Sequence, residues 1–362
     1  MNADKMDLKT VINASGNMSI IGVSIMSDDV ARAMKVGGQH FYEMEDLNEE
    51  SGKIVAKYMQ TESALITNSA SSALALAVAG LMTKNNSYLV ENLHKESPHK
   101  EILLMKGHNI DYGAPISTMI NLGGGDVKEV GYANGCDLSQ IEAAITDNTA
   151  GIMFIKSHHS VQKNMPSLEQ VSELARRRQV PLILDIAAEE NISGYSSFAD
   201  LIVVSGSKAI AGPTSGILAG KKEYLQYVKP HLKGIGRAMK VGKESIFGLL
   251  KALENYSDQK MSKQQQTELL NSFFQLEYIP GINVTIHEDE SGRDICRARI
   301  IVDASKTKCN AMTLTNKLKQ GEIAIYTRDY YANVGYFDLD PRALSQKEVD
   351  VIISRIKEIV GG

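Results

Sequence analysis

The chain has little that would take it out of a reducing compartment or into a membrane. Only three of its 362 residues are cysteines, and Cys136, Cys296 and Cys309 lie far apart with no Cys-x-x-Cys pair. That spacing excludes a disulfide framework and predicts free thiols. The longest apolar stretch, Ser72–Met82, is too short to span a bilayer and is rich in alanine. Met1–Thr10 carries charges of both signs and lacks the apolar run of a signal sequence. Neither sign of charge dominates: 39 Lys and Arg face 43 Asp and Glu, a net charge of −4. Nothing therefore draws the chain as a whole toward nucleic acid or anionic lipid. The basic run Arg176-Arg177-Arg178 falls on a predicted helix and reads as a solvated face. No internal repeat or low-complexity tract stands out. These absences predict a soluble, cytoplasmic protein with no nucleic-acid and no membrane partner.

What is present is material for a large core. Hydrophobic residues make up 43% of the chain, and its length suggests two or so domains. Strand and helix patterns alternate through the middle. Strands are predicted at Ser63–Thr67, Glu101–Lys106, Asp126–Val130, Gly151–Ile155, Pro181–Leu184 and Leu201–Val204. Helices are predicted at Ala70–Met82, Ile116–Leu122, Leu138–Ile145 behind Asp137, and Ser167–Arg178. Gly52–Met59 reads as a helix turn or two. This alternation argues for an α/β core with a mostly parallel sheet. The pattern changes near residue 245. A long helix is expected from Glu244 through Tyr256 to about Phe274, then strands and a final amphipathic helix at Ser345–Ile359. The predicted organisation is an N-terminal segment 1–45, a large domain 46–245 and a smaller α+β domain 246–362.

Two residues carry chemistry. Asp185 ends one apolar strand, and Lys208 follows the next in Ser205-Gly206-Ser207-Lys208-Ala209-Ile210-Ala211-Gly212-Pro213. In α/β sheets ligands bind beyond the carboxyl ends of the strands. A lysine there can form a Schiff base with the aldehyde of pyridoxal 5'-phosphate (PLP). A carboxylate there can pair with the pyridinium nitrogen and keep the ring an electron sink. The blander readings are a surface lysine and a strand-end acid capping its turn. The tight-turn residues around Lys208 speak against a solvated helix face.

Other candidates fall at the ends of neighbouring strands. Ser69, Ala70 and Ser71 open a helix, where free N–H groups and serine hydroxyls suit a phosphate; simple N-capping is the alternative. Ser205 and Ser207 are further donors for that phosphate. His108 follows a strand and is a candidate to stack on the cofactor ring or shuttle a proton, against a loop histidine bonded to backbone. Gln162 follows another strand and is a candidate contact for the cofactor phenolate oxygen. His158 and His159 are adjacent, so on an extended segment they point opposite ways, and no third ligand has matching spacing; no metal is expected. Arg237 and Arg328 are candidates for substrate carboxylate or phosphate, with surface ion pairs as the alternative.

These residues resemble those of fold-type I PLP enzymes, and within them the bacterial selenocysteine synthase family. The resemblance begins at Val11-Ile12-Asn13-Ala14-Ser15-Gly16 and continues through Thr67–Ala73 and Lys106–Gly113. It is densest from Asp185 to Ser205-Gly206-Ser207-Lys208 with Gly212-Pro213-Thr214-Ser215-Gly216, and reaches Arg237–Lys243. The selenocysteine synthases themselves look longer at the N-terminus, where they hold a tRNA-binding module. Here the signature starts at Val11. The ends of the chain, Asn13–Met18 with Gly22-Val23-Ser24, and Thr327-Arg328-Asp329 with Phe337–Arg342, are more similar to the short D-glucosaminate-6-phosphate ammonia lyase group. The resemblance implies a large domain built on a seven-stranded sheet with a smaller α+β domain. It also implies a phosphorylated amino sugar acid as substrate, α,β-elimination as chemistry, and a homo-oligomer of at least two chains. The segment around Tyr42 would then reach toward a neighbour. Rival expectations are another PLP reaction, such as selenium or sulfur transfer or retro-aldol cleavage, and a non-catalytic binding protein that keeps the fold.

Overall fold

The computed structural model describes residues 6–256 and 260–361. Its elements in chain order are β1 (Thr10–Ala14), α1 (Asp28–Gln39), α2 (Met44–Met59), β2 (Ser63–Thr67), α3 (Ala70–Thr83), α4 (Ser87–Glu96), β3 (Glu101–Met105), α5 (Ile116–Leu122), β4 (Asp126–Val130), α6 (Leu138–Ala144), β5 (Thr149–Ile155) and α7 (Leu168–Arg178). There follow β6 (Leu182–Asp185), β7 (Leu201–Ser205), β8 (Gly216–Gly220), α8 (Lys222–Val228), α9 (Lys243–Glu254), α10 (Lys263–Leu270), β9 (Ile282–Glu288), β10 (Cys296–Val302), α11 (Ala311–Leu318), β11 (Ile323–Thr327), β12 (Tyr336–Leu339) and α12 (Gln346–Gly361).

The larger of two compact units is Met26–Asp258. Its seven-stranded sheet has the order β2-β8-β7-β6-β5-β3-β4. Strands β4, β3, β5, β6 and β7 are parallel, while β8 is antiparallel to both β7 and β2. Most of these strands are continuous apolar runs because both faces are covered. One face packs Leu104, Met153, Ile183 and Val203 against α3, which is apolar all round and almost wholly buried. The other packs Leu103, Phe154, Leu184 and Val204 with residues of α2, α7 and α9. Helix α7 starts where the sequence predicts, because Ser167 and Gln170 form a reciprocal capping box.

The smaller unit is Met1–Ile25 with Gln259–Gly362. Strand β1 pairs in parallel with β11, β9 and β12 flank β10 in antiparallel fashion, and an Arg328–Asp338 bridge joins the two groups. One face of this sheet contributes Ala14, Ala298 and Leu339 to a core shared with α10, α11 and α12.

The unit boundaries differ from the expected 45 and 245. The pairing of β1 with β11 puts the start of the chain in the C-terminal unit, and the packing of α1 on α9 puts both helices in the large one. Helix α2 is longer than the expected turn or two. It begins at Met44 with Glu45 and Asp46 in its first turn, where the helix dipole favours acids. The long helix expected to reach Phe274 is broken. Helix α9 ends at Glu254, and α10 starts anew behind Ser262 with its own capping box. The part of that expectation on 257–259, and the part of the signal-sequence reading on 1–5, lie outside the described residues.

Candidate active site

Strand direction brings the candidates to one edge. The parallel strands β3, β5, β6 and β7 end at Met105, Ile155, Asp185 and Ser205. Strand β2 runs the same way, because two antiparallel pairings separate it from β7, and it ends at Thr67. Register aligns Thr67 with Gly216 and Gly216 with Ser205 in one row. Asp185 is opposite Ile155 on one side and Val203 on the other. Side chains alternate along each strand, so Thr67, Asp185 and Ser205 all project to the face covered by α3.

Asp185 is buried at 8% exposure. Its Oδ1 accepts the N–H of Ala187 at 2.8 Å, and among the described residues Oδ2 has no hydrogen-bond donor. Burial pushes the carboxyl up from its ordinary value, while the Ala187 N–H and the positive charge of Lys208 pull it back. Lys208 is thus within electrostatic reach of Asp185. It lies in a turn closed by Ala211 N–H to the Lys208 carbonyl (2.9 Å) and Gly212 N–H to the Gly206 carbonyl (2.8 Å). Gly206 is required there: a Cβ would stand 2.1 Å from Ser215 Oγ. Ala211 is held at φ +54°, in the left-handed region that disfavours a side chain. The hydroxyls of Ser205 and Ser207, both buried, lie 3.4 Å apart.

The helix start has both a cap and an open anion site. Ser69 Oγ accepts the Ser72 N–H at 3.1 Å, so the capping alternative holds for that hydroxyl. The first two N–H groups of α3, on Ala70 and Ser71, have no acceptor among the described residues. Strand β8 passes so close that a Cβ on Gly216 would stand 2.2 Å from the Ser69 carbonyl carbon and oxygen. Only glycine lets the sheet approach this helix start. Tyr112, which the sequence analysis did not single out, donates its hydroxyl to Ser71 Oγ at 3.1 Å. Burial and the charge of Asp185 both raise its phenol. Its only signal in the sequence is an aromatic in the Asp111-Tyr112-Gly113 turn after β3.

His108 departs from its expectation. Its ring is 1% exposed and meets Phe154 edge-on at 4.7 Å, among residues of the sheet face opposite α3. Its Nδ1 accepts the N–H of Ile155 at 3.1 Å. Burial lowers its pKa to about 4, partly opposed by a hydrogen bond with the Val161 backbone. A neutral ring so placed ties β3 to β5; it neither stacks on a ligand at the Asp185 face nor shuttles protons there. Gln162 departs too. Its Nε2 donates to the Ser157 carbonyl (2.7 Å) and Ser160 Oγ (2.8 Å), so both amide protons brace its own loop rather than reach a phenolate. The His158 and His159 rings lie 4.0 Å apart. Among the described residues, no three of His, Cys, Asp and Glu cluster as metal ligands would.

The two arginines differ. Arg237 is exposed on a 3-10 turn and makes no ion pair among the described residues. Arg328, in the smaller unit, is half-buried. Its Nη1 donates to the Ser15 carbonyl at 3.4 Å and its guanidinium lies 5.3 Å from the Tyr330 ring centre. No carboxylate lies within ion-pair distance of it among the described residues. Burial and the neighbouring Arg297 lower its pKa. Around it, Asp289 pairs with Arg293 and Arg297, and Asp340 with Arg297 and Arg342. Three guanidiniums thus share two carboxylates, and Arg328 beside them pairs with neither.

PLP fits the large unit's residues. A buried carboxylate with an oxygen to spare suits the pyridinium N–H. Lys208 suits the aldehyde, and the open N–H groups behind Gly216 suit the phosphate.

Comparisons with known proteins bear on the family and the fold. A family model described as SelA, L-seryl-tRNA selenium transferase, matches residues 11–276. The D-glucosaminate-6-phosphate ammonia lyase of Salmonella typhimurium is 40% identical over 98% of this chain and 96% of its own. A 5'-C-glycyluridine monooxygenase-decarboxylase from a Streptomyces species is 32% identical over 99% of this chain and 92% of its own. A solved structure of D-glucosaminate-6-phosphate ammonia-lyase superposes with TM-score 0.89 at 39% identity, covering 99% of this chain and 97% of that one. A Thermus thermophilus aspartate aminotransferase double mutant, 14% identical with TM-score 0.57 over 97% of this chain and 92% of its own, shares the fold.

Proposed function

The chain belongs to the SelA, L-seryl-tRNA selenium transferase, family, and from that premise we propose that it is a PLP-dependent ammonia lyase acting on D-glucosaminate 6-phosphate. The products are ammonia and 2-keto-3-deoxygluconate 6-phosphate. The observation that carries this reading is a buried Asp185 on the α3 face of the sheet, within electrostatic reach of Lys208, in a chain that matches an ammonia lyase over nearly its whole length. The chain also spans 96% of that lyase but 83% of the L-seryl-tRNA(Sec) selenium transferase of Clostridium perfringens.

The bound cofactor supplies an electron sink for the pair of electrons left when the Cα proton departs. The chain's residues do the rest. Asp185 holds the ring nitrogen in its protonated state. The N–H groups of Ala70 and Ser71, with hydroxyls of Ser71, Ser205 and Ser207, hold the phosphate. Lys208 would hold the cofactor's aldehyde, and its amine, when free, would take the Cα proton. The hydroxide leaving Cβ needs a proton in turn, and Lys208 rather than the buried, neutral His108 would deliver it. Loss of water across Cα–Cβ and hydrolytic release of ammonia complete the reaction. Arg237, on the large unit, takes a substrate anion.

A subunit interface is part of the reading. Helices α1 and α2 and their connection expose Val36, Phe41, Met44 and Ile54, with Phe41 fully accessible. Such an apolar stretch suits a second copy of the chain. Light scattering tests it: the account expects at least a dimer, and a monomer at working concentration contradicts it. For the activity, PLP-loaded protein is incubated with D-glucosaminate 6-phosphate, and ammonia and keto acid are assayed together. Equimolar release of both supports the lyase. Turnover by Lys208→Ala, or no release from the wild type, contradicts it.

A further inference from the structure

We infer that Tyr112 is a positioning residue for the phosphate cradle, orienting the Ser71 hydroxyl from the Asp185 end of the site. The inference rests on the reading that the cofactor phosphate sits at the start of α3.

The tyrosine stands on a rigid loop. Ile116 N–H bonds to the Ile110 carbonyl (3.2 Å), Tyr112 N–H to the Ala114 carbonyl (3.3 Å), and Gly113 N–H to Asp111 Oδ1 (2.8 Å). Gly113 sits at φ +114°, a conformation that only glycine adopts without strain. The phenol ring packs against the core on the α3 face, the face to which Asp185 projects. Its hydroxyl reaches Ser71 Oγ at 3.1 Å, on the second residue of α3. One rigid side chain therefore spans from the helix start toward the carboxylate.

The chemistry of that contact is directional. The phenol donates and the serine oxygen accepts, so the serine proton must point elsewhere. Its neighbours in the chain are the open N–H groups of Ala70 and Ser71. A serine hydroxyl at a helix start otherwise turns back on its own backbone. With the phenol as donor, the Ser71 O–H is turned outward and strengthened for an anion, since chained hydrogen bonds polarise one another. Burial and the nearby Asp185 charge keep the phenol protonated, as the arrangement requires.

The test compares two ligands that differ only in the phosphate. Apo forms of the wild type, Tyr112→Phe, Ser71→Ala and the double variant are titrated with PLP and with pyridoxal, following the absorbance of the lysine adduct. Tyr112→Phe should weaken PLP binding about threefold to tenfold, leave pyridoxal binding unchanged, and add nothing in the Ser71→Ala background. Unaltered PLP affinity, equal weakening for both ligands, or additive effects would each overturn the role. If neither Ser71→Ala nor Gly216→Ala reduces the preference for PLP over pyridoxal, the phosphate is not held at α3. The underlying reading then fails, and this inference with it.

Discussion

Acidification should destabilise this protein through one residue that the sequence made a catalytic candidate. His108 has an ordinary pKa of 6.5 in the unfolded chain and about 4 in the fold. Between those values the unfolded chain binds a proton that the folded chain refuses, so stability falls as the pH drops from about 6.5 to about 4. At ~1.4 kcal/mol per pH unit, the full loss from this ring is about 3 kcal/mol. Its cause is visible: protonating Nδ1 removes the acceptor for the Ile155 N–H in a site shut to water. His108→Gln keeps an acceptor and cannot titrate. Urea unfolding at neutral pH and at about pH 4 should therefore show a loss smaller by about 3 kcal/mol in the variant. His231, also lowered by burial, titrates in both proteins and cancels from the difference. The variant should also keep kcat within a few-fold. Equal acid sensitivity of the two proteins, or a His108→Gln enzyme without turnover, would refute the structural assignment of this ring.

Three further outcomes follow from the geometry. Gly216→Ala puts a Cβ 2.2 Å from the Ser69 carbonyl group, backbone that cannot swing aside, so PLP affinity should drop by at least about tenfold in a titration while circular dichroism keeps the native signature. Arg237→Lys keeps the charge but loses the planar fork; KM should rise about tenfold or more with little change in kcat, and an unchanged KM would remove Arg237 from the substrate site. Asp340→Asn leaves Arg297 and Arg342 short of a carboxylate that is 0% exposed, and chemical denaturation should show a loss of roughly 3 kcal/mol or more.

Much of the large unit was legible because its signals are local. Ser69, Asp137 and Ser167 cap helices that start where the sequence places them. The buried strands β5, β6 and β7 read as apolar runs within one or two residues of their ends. Strand β8 escaped notice because Gly216 and Gly220 flank only three apolar residues, and Gly216 answers to the start of α3 and Gly220 to the Asp200 backbone rather than to strand propensity. The small unit was harder, since β1 pairs with a strand some 310 residues away, and no local pattern carries such a pairing. At the candidate site, the position of Asp185 and Lys208 at the ends of adjacent strands was readable. The sheet face was not: His108 and Tyr112 follow the same strand four residues apart, yet the first packs with Phe154 and the second bonds to Ser71. Gln162 misled for a related reason, because its loop folds back and engages the side chain's donors.

The central claim is that Lys208 carries the cofactor. PLP-loaded protein reduced with borohydride, digested and mapped by mass spectrometry should carry the phosphopyridoxyl group on the peptide containing Lys208. Lys208→Ala should show neither the label nor the absorbance of the bound cofactor. A label on a different lysine, or a Lys208→Ala protein that still traps the cofactor, would contradict the account.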